Sequence, residues 1–415
     1  MLLAENRIPL FLSMLSKRAG RAEMVAPKLR IASVCLGPLK HDSRVLRIAG
    51  ALQAAGHDTR IFGFAPLPEN PVAQVTAVAD APGPWRARLG MGLRQAPAQI
   101  IPATAPLLYW ASSARVKAAR LLAAFKPDVV IANDWRALPL AARAKQMSGA
   151  RILYDSHEFA AEEFAESRAW RLLARRHAIE IERRGIARAD FVMTVSGAIA
   201  RSMHSTYGLA RLPLVLRNIP DQPAAPFRAA SEPLKLLYLG SIVPRRGLEN
   251  IAESLPLWNN GGTLTLIGQG SDTFIAGLRQ RAGAAADRMT ILPPVAPERI
   301  VEAAQSFDIG IIPLPGTSSQ LQAALPNKLF EYIRSGLAVL STPLPEIAAV
   351  LKAHGCGALL PSLEPADIAA AVNGLEPAAV NHLKRNSVKA AESLTFNAEI
   401  APVLDWISDT KAPQF

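Results

Sequence analysis

The segment Ala324–Gly336 contains the residues whose types and spacing best suit chemistry on a charged ligand. Pro326 fits the first turn of a helix that ends at Gly336. Lys328 and Glu331 stand three residues apart on that helix, so both project from one face. There the lysine can meet a phosphate while the glutamate accepts hydrogen bonds from a ribose diol. An ordinary ion pair on a solvated helix face is the alternative.

Two glycine-containing turns lie earlier in the second half of the chain. The turn Gly240–Gly247 contains Arg245 and Arg246, and a helix begins directly after it. Close backbone approach, free helix N–H groups and two guanidiniums together suit a diphosphate. The second turn, with Gly268 and Gly270, allows another close approach. Each turn alone is a weak signal, because glycine turns and surface arginines are common.

In the first half, His157 comes directly after a clear predicted strand, Arg151–Asp155. A structural and a functional histidine are about equally favoured there, because the position lies over the predicted cleft. The other polar or glycine positions that follow strand ends in this half are Gly37, Lys40, Asp42, Asp134 and Glu158.

Both halves alternate apolar strands with amphipathic helices, which indicates parallel sheets with helices on both faces. The strands predicted in the first half are Leu29–Gly37, Thr59–Phe64, Asp128–Ala132, Arg151–Asp155, Phe191–Val195 and Leu214–Leu216. Those predicted in the second half are Lys235–Leu239, Thr263–Ile267, Met289–Leu292, Ile309–Pro313 and Ala338–Ser341. One long helix is predicted over Glu162–Arg188. The fold class is therefore α/β, with two Rossmann-like doubly wound domains and a ligand cleft between them.

The composition divides the chain into five segments. Residues 1–27 are predicted to be an N-terminal extension, which either forms a short surface-seeking helix or precedes a translation start at Met24. Residues 221–233 contain three prolines and form the predicted linker. The other segments are a first domain over 28–220, a second over 234–395 and a C-terminal helix over 396–415 that we expect to pack on the first domain.

The composition excludes a disordered protein, because 50% of the 415 residues are apolar and 19% are charged. Two cysteines, Cys35 and Cys356, are too few for a disulfide framework and indicate a reducing cytoplasm. Residues 1–220 carry a net charge of +15 and residues 221–415 one of −3. The basic half is expected to face nucleic acid, a phosphate-bearing substrate or the inner leaflet of a membrane. A general arginine bias is the alternative.

The segment Gln95–Ala114 carries no charge and is long enough to cross a bilayer. Pro97, Pro102 and Pro106 interrupt it, so a spanning helix is disfavoured. We expect a partly helical segment at the rim of the basic half. It would serve as an acceptor-site wall, as a shallow membrane contact or in plain core packing.

In order and spacing, these segments resemble the nucleotide-sugar-dependent glycosyltransferases of the GT-B fold, specifically the retaining group numbered family 4. The resemblance covers about residues 29–410. The matching segments are Ala54–His57, Tyr154–Glu158, Ala189–Ser196, Leu216–Asn218, Gly240–Gly247, Gly268–Gly270 and Pro326–Gly336.

The resemblance implies a role for each candidate residue. Arg246 and Lys328 would neutralise the donor diphosphate, His157 would act beside the reacting sugar carbon, and Glu331 would bind the ribose. Those implied to line the donor site are Gly240, Arg245, Gly268, Gly270 and Asn327, and those on the acceptor side are Gly37, Lys40, Asp42, Asp134 and Glu158. The family pattern has a further glutamate where this chain has Ala323, so the contact to the donor sugar must come from backbone groups nearby or from elsewhere.

The resemblance implies an enzyme that moves a sugar from a nucleoside-diphosphate donor to a lipid-linked or polysaccharide acceptor, with retention of configuration. It also implies a role in cell-envelope glycan synthesis, at the cytoplasmic surface of the inner membrane, without a metal or other cofactor. A catalytically silent nucleotide-sugar-binding protein is the alternative, motivated by Ala323. An oxidoreductase is disfavoured because no Gly-x-Gly-x-x-Gly turn follows the first strand of either half. Nucleic acid is disfavoured because the arginines lack interleaved aromatic residues.

Overall fold

A seven-stranded sheet forms the centre of the first domain. The computed structural model describes residues 27–409 apart from residues 40–41, 69–70, 72 and 81–93. The described strands pair in parallel, in the order β3-β2-β1-β4-β5-β6-β7. The strands are β1 (Arg30–Pro38), β2 (Asp58–Ala65), β3 (Gln74–Asp80), β4 (Val129–Asn133), β5 (Arg151–Ser156), β6 (Phe191–Thr194) and β7 (Leu214–Val215). The helices are α1 (Ser43–Ala54), α2 (Pro97–Ile100), α3 (Ala105–Trp110), α4 (Ser113–Phe125), α5 (Leu138–Ser148), α6 (Arg168–Leu173), α7 (Arg175–Ile186) and α8 (Gly197–Tyr207).

A six-stranded parallel sheet forms the centre of the second domain, in the order β10-β9-β8-β11-β12-β13. Its strands are β8 (Lys235–Leu239), β9 (Thr263–Ile267), β10 (Met289–Leu292), β11 (Ile309–Ile312), β12 (Ala338–Ser341) and β13 (Gly357–Leu359). Its helices are α9 (Leu248–Ser254), α10 (Asp272–Ala282), α11 (Ile300–Ala304), α12 (Ser319–Gln322), α13 (Asn327–Arg334), α14 (Pro345–His354), α15 (Pro365–Asn373) and α16 (Pro377–Ser393). The predicted α/β class with two doubly wound sheets is confirmed.

Both sheets reverse their strand order beside the first strand of the domain. In the first domain the reversal lies between β1 and β4, and in the second between β8 and β11. Crossovers leave on opposite faces at such a point, which opens a crevice at the carboxyl ends of the strands. The ends of β1, β4, β8 and β11 are therefore where each domain can hold a ligand.

The last helix, α17 (Phe396–Ser408), follows the second domain in the chain but packs on the sheet of the first. Its apolar residues recur at helical spacing and join β1 and β4 in one buried cluster. Arg151 at the start of β5 donates to the carbonyl oxygens of Trp406 and Ile407, at 3.1 and 2.6 Å, near the helix end. A cation at that end satisfies free carbonyls and complements the helix dipole.

The single helix predicted over Glu162–Arg188 is wrong. Residues 160–166 form turns, and two helices, α6 and α7, follow them. Ser167 begins α6 by accepting a hydrogen bond from the Trp170 N–H at 3.3 Å. Ala174 breaks the helix between them with φ −130°. The apolar spacing continues across the break, which is why the sequence pattern gave one helix.

Two strands, β3 and β13, were not predicted; both lie at sheet edges, where burial is incomplete and the apolar pattern is weak. The uncharged segment Gln95–Ala114 forms the short helices α2 and α3 rather than one long helix. Among the described residues, no helix is long and apolar enough to cross a bilayer. The predictions for residues 1–26 and Lys40 lie outside the described residues.

Candidate active site

The loops after β8 and β9 approach each other so closely that a side chain cannot fit between them. A Cβ at Gly268 would lie 1.8 Å from the carbonyl oxygen of Gly240, and one at Gly270 would lie 2.7 Å from that of Ile242. Gly240 also has φ +122°, a conformation that favours glycine. These glycines, predicted to bind the donor, fix the shape of the crevice at the switch point of the second sheet.

Lys328 extends from the first turn of α13 to the Gly240 loop. Its Nζ lies 3.7 Å from the centre of the Tyr238 ring, and a Cβ at Gly240 would lie 3.4 Å from Nζ. Burial lowers the pKa of Lys328 to about 7; Glu331 opposes this shift and Arg246 adds to it. The ammonium thus lies where its charge is poorly compensated, as a site for an anion requires.

Glu331 lies beside Lys328 on the same helix face, as the spacing predicted. Burial raises the pKa of Glu331 to about 7, against the attraction of Lys328 and of Arg47 from the first domain. Desolvation is the largest influence on both members of the pair. An ion pair on a solvated surface, the alternative from sequence, therefore does not describe them.

Tyr332 anchors α13 against the sheet. Its hydroxyl accepts a hydrogen bond from the Leu239 N–H at 2.9 Å and lies 3.3 Å from the carbonyl oxygen of Ile311. A Cβ at Gly310 would lie 2.2 Å from the tyrosine ring, so β11 must have a glycine there. The helix starts at Asn327 with no side-chain cap. The Leu329 N–H donates to the Pro326 carbonyl oxygen at 3.1 Å, so the N–H groups before it and the positive dipole end are what this helix can offer an anion.

His157, after β5 in the first domain, lies among three carboxylates. Its Nε2 is 3.3 Å from Asp155 Oδ2, and its Nδ1 is 3.7 Å from Asp134 Oδ2 and 3.8 Å from Asp42 Oδ2. Asp155 is fully buried and accepts two hydrogen bonds from Arg44, at 2.7 and 2.8 Å. The strand ends of the first sheet thus bring together the histidine and two of the predicted acceptor-side residues.

The charge of His157 is set by these neighbours. Burial opposes protonation, but Asp134 and Asp155 outweigh it and raise the pKa of His157 to about 10. Burial would raise the pKa of Asp155, yet Arg44 and His157 hold it well below the usual range. At neutral pH the site therefore presents an imidazolium beside ionised Asp155.

Asp134 has an unusual backbone conformation for a residue other than glycine, with φ +61° and ψ 164°. Its Oδ1 accepts a hydrogen bond from the His157 N–H at 3.0 Å, and its own N–H donates to the Asp155 carbonyl oxygen at 2.9 Å. These two bonds keep its carboxylate beside the imidazole. Strain of this kind persists where the surroundings fix the geometry, as they do at many active sites.

Several contacts join the two domains around the cleft. Asn218 donates to Asn327 Oδ1 at 2.7 Å, and Ser196 donates to the Ala323 carbonyl oxygen at 2.8 Å. Arg47 of α1 lies within electrostatic range of both Asp42 and Glu331. The cluster around His157 and the one around Lys328 therefore face the same cleft.

The other predicted site residues lie at the rim of this cleft or outside the described residues. Glu158 has an exposed surface, but partial burial of its carboxyl group and the nearby Glu163 raise its pKa to about 7. Gly37 ends the apolar part of β1, half-buried. Arg245 does not join Lys328: its side chain is 81% exposed and its Nη1 lies 3.7 Å from Glu166 of the first domain. Its backbone lies in the left-handed region, with φ +65°.

The sequence interpretation missed four residues that build the site, namely Arg44, Arg47, Tyr238 and Tyr332. Arg44 was detectable in principle, because it stands four residues before Ile48 and eight before Leu52 on the buried stripe of α1. An arginine on such a stripe must have a buried partner. The sequence pattern did not indicate a role for the two tyrosines, because their contacts depend on which strand or helix packs against them in the fold.

The two halves match family models of one class of enzyme. Residues 42–218 match the glycosyl transferase 4-like domain, and residues 233–376 match glycosyl transferases group 1. The chain belongs to the group 1 glycosyltransferases. Curated protein sequences give no match to this glycosyltransferase.

Solved structures share its GT-B architecture. Sucrose-phosphate synthase from Thermosynechococcus elongatus is 14% identical with a TM-score of 0.68, over 92% of this chain and 98% of that one. Anabaena HepE in complex with UDP-glucose is 16% identical with a TM-score of 0.66, over 92% and 99%. WaaG, a glycosyltransferase involved in lipopolysaccharide biosynthesis, is 17% identical with a TM-score of 0.60, over 92% and 100%. At these identities the likeness shows the fold alone, and it confirms the predicted GT-B fold.

Proposed function

We propose that this glycosyltransferase moves a sugar from a nucleoside-diphosphate donor to a lipid-linked or polysaccharide acceptor, with retention of the anomeric configuration. The sugar nucleotide is its co-substrate, and the reaction serves cell-envelope glycan synthesis. The observation that carries the proposal is the pairing of two clusters across one cleft. Lys328, Arg246 and Glu331 come from the second domain, and His157 with its carboxylates comes from the first.

The second domain would stabilise the leaving group. Breaking the anomeric bond transfers negative charge to the diphosphate, and groups fixed in advance stabilise such charge best. Lys328 and Arg246 interact electrostatically, so both cations can act on one diphosphate. The uncapped start of α13 adds N–H groups. Glu331, on the same face of α13, would accept hydrogen bonds from the ribose diol.

The first domain would orient the sugar and the acceptor. The imidazolium of His157 can donate a hydrogen bond to a sugar oxygen near the reacting carbon. Asp134, held beside it, can accept a hydrogen bond from the attacking acceptor hydroxyl. Attack on the face that the diphosphate leaves needs no protein nucleophile, which is consistent with retention.

Two further observations support the chemistry of the substrates. The HepE structures contain UDP and UDP-glucose, and their fold is shared over 92% of this chain. The net charge of +15 on residues 1–220 suits an acceptor that carries phosphate or lies at an anionic surface.

A catalytically silent nucleotide-sugar-binding protein is the second candidate, and one contact favours it. The Ala323 carbonyl oxygen, a group left to replace the missing glutamate, already accepts a hydrogen bond from Ser196. A silent protein would bind the sugar nucleotide without hydrolysing or transferring it.

A thermal-shift panel of UDP, GDP, ADP and CMP sugars tests the proposal first, because selective stabilisation identifies the donor. The selected donor is then assayed for hydrolysis and transfer, and proton NMR of the product gives the anomeric configuration. Lys328→Ala and Arg246→Ala should each lower turnover at least a hundredfold while leaving the unfolding temperature nearly unchanged. The matched control is Lys352→Ala, at an exposed position of α14. Wild-type turnover in both site variants, or an inverted product, contradicts the proposal.

A further inference from the structure

One face of the first domain exposes large apolar side chains where a folded protein normally buries them. Ile100 is 83% exposed and Ile101 57%, at the end of α2, while Leu107 of α3 is 75% exposed and Leu172 of α6 is 73% exposed. Single exposed apolar residues are common, but a cluster of them on one surface marks an interaction site.

These residues belong to one surface. Arg176 of α7 donates to the Gln99 carbonyl oxygen at 2.7 Å, which holds the end of α2 against the start of α7. Leu172 lies on α6, which packs against the same helix α7. Leu107 lies on α3, whose residues Pro106 and Trp110 line the adjoining groove.

That groove, of about 640 Å³, runs between α4, α5 and α7 and combines an apolar floor with a basic rim. Apolar residues such as Val116 and Ile181 line the groove. The four arginines that line it are Arg120, Arg143, Arg184 and Arg188. We call the exposed residues Ile100, Ile101, Leu107 and Leu172 together with these four arginines the basic apolar face.

The helices around this face are predominantly basic. Of the described residues, 94–127 contain five Lys or Arg and no Asp or Glu. Helices α4 and α5 together contain five Lys or Arg and no acid. Glu180 on α7 is paired with Arg183 and Arg184, at 2.9 and 2.5 Å. A partner for this face must therefore offer both negative charge and an apolar interior.

We propose that the basic apolar face docks on an anionic lipid bilayer, with its four exposed apolar side chains entering the headgroup region and its arginines on the phosphates. The inference deepens the proposed function, on which it rests for the presence of an acceptor at that surface. Charge complementarity favours a bilayer over a second copy of the chain, because two such faces would repel each other. An interfacial anchor needs apolar contact and basic residues together, and the face supplies both.

The test is co-sedimentation of the purified full chain with vesicles. Vesicles of one-third phosphatidylglycerol in phosphatidylcholine are compared with pure phosphatidylcholine, at low and at high salt. We expect binding to the anionic vesicles that weakens strongly with salt, and little binding to the neutral ones. Ile100→Ser with Leu107→Ser, and separately Arg120→Gln with Arg143→Gln, should each weaken the partition coefficient roughly tenfold or more.

Matched controls exist on the second domain. Leu257 is 52% exposed, and Arg279 and Lys352 are also exposed. Leu257→Ser, and Arg279→Gln with Lys352→Gln, should bind anionic vesicles like the wild type. Equal loss in face and control variants, or equal binding to neutral vesicles, overturns the proposal. So does a shift from dimer to monomer in the Ile100 and Leu107 variant by light scattering, since a second copy would then cover the face.

The outcome is independent of the donor site. The thermal shift given by the donor sugar nucleotide should be unchanged in all face variants, which shows that they fold and keep the donor crevice. If the protein binds anionic vesicles but no sugar nucleotide, the proposed function is refuted and the docking of the basic apolar face on lipid is still supported. If the wild type binds the donor but not anionic vesicles, only the docking proposal for the basic apolar face is refuted.

Discussion

Donor binding should require a proton at Lys328, and its pH dependence should reveal this. In the empty site burial lowers the pKa of Lys328 to about 7. A diphosphate about 4 Å from the ammonium contributes on the order of 4 kcal/mol at an effective dielectric constant of about 20. That attraction corresponds to about 3 pKa units and returns the lysine to its ordinary range in the complex.

The sign follows from linkage. The complex holds the lysine proton more tightly than the free protein, so the affinity for the donor falls as pH rises above about 7. Above pH 7.5 Glu331 is already mostly ionised, so it adds little to the slope. For a free pKa of about 7, the dissociation constant should rise roughly eightfold between pH 7.5 and 8.5. The phosphates of a sugar nucleotide are fully ionised throughout this range.

Isothermal titration calorimetry with the donor from the thermal-shift panel measures both the dissociation constant and the number of protons taken up on binding. Titrations in buffers of different ionisation enthalpy should show uptake of about one proton at pH 8.5. Lys328→Arg, whose guanidinium stays charged, should show neither the proton uptake nor the loss of affinity. Lys352→Arg, on the exposed face of α14, should behave as the wild type. A constant affinity in the wild type, or the same decline in Lys328→Arg, would refute the reasoning.

Three further predictions follow from other contacts of the site. Gly268→Ala should abolish donor binding, because its Cβ would lie 1.8 Å from a carbonyl oxygen, whereas Gly277→Ala, with nothing within 4 Å, should bind normally in calorimetry. The stability that the His157 charge provides is complete below about pH 6.5 and disappears as pH approaches 10; urea unfolding of wild type and His157→Gln should therefore converge by a few kcal/mol over that range. Glu346→Gln weakens hydrogen bonds to the Gly197 N–H and to Arg201 across the cleft, so kcat/KM should fall about fivefold; unchanged kinetics would contradict this.

The second sheet was predictable because its strands are short apolar runs between turn residues. Strands β8, β9, β10 and β12 match the predicted bounds residue for residue. The edge strand β3 was missed, because a seven-residue segment at an edge buries little and leaves a weak pattern. The break between α6 and α7 was missed for the opposite reason, since the apolar pattern continues where the backbone does not.

The site was predictable where it follows strand ends and not where it lies on helices. His157, Asp134 and Gly240 were found because parallel strands deliver their carboxyl ends to one edge. Arg47 gave no such signal, since an arginine on α1 is indistinguishable by sequence from a solvated one. Only the fold shows that it reaches from the first domain toward Glu331 of the second.

The pKa of the cationic residue is raised in one cluster and lowered in the other, and this difference suggests an order of events. His157 keeps its proton in the empty protein because Asp134 and Asp155 surround it. Lys328 is only partly protonated near neutral pH, because burial lowers its pKa to about 7 and outweighs Glu331. In the proposed function, the first domain would therefore be electrostatically complete before any ligand arrives, whereas the second would become so only when a diphosphate restores the lysine proton. With Lys328 engaged by the phosphate, Glu331 would be free to accept hydrogen bonds from the ribose, so one proton would couple recognition of both parts of the nucleotide.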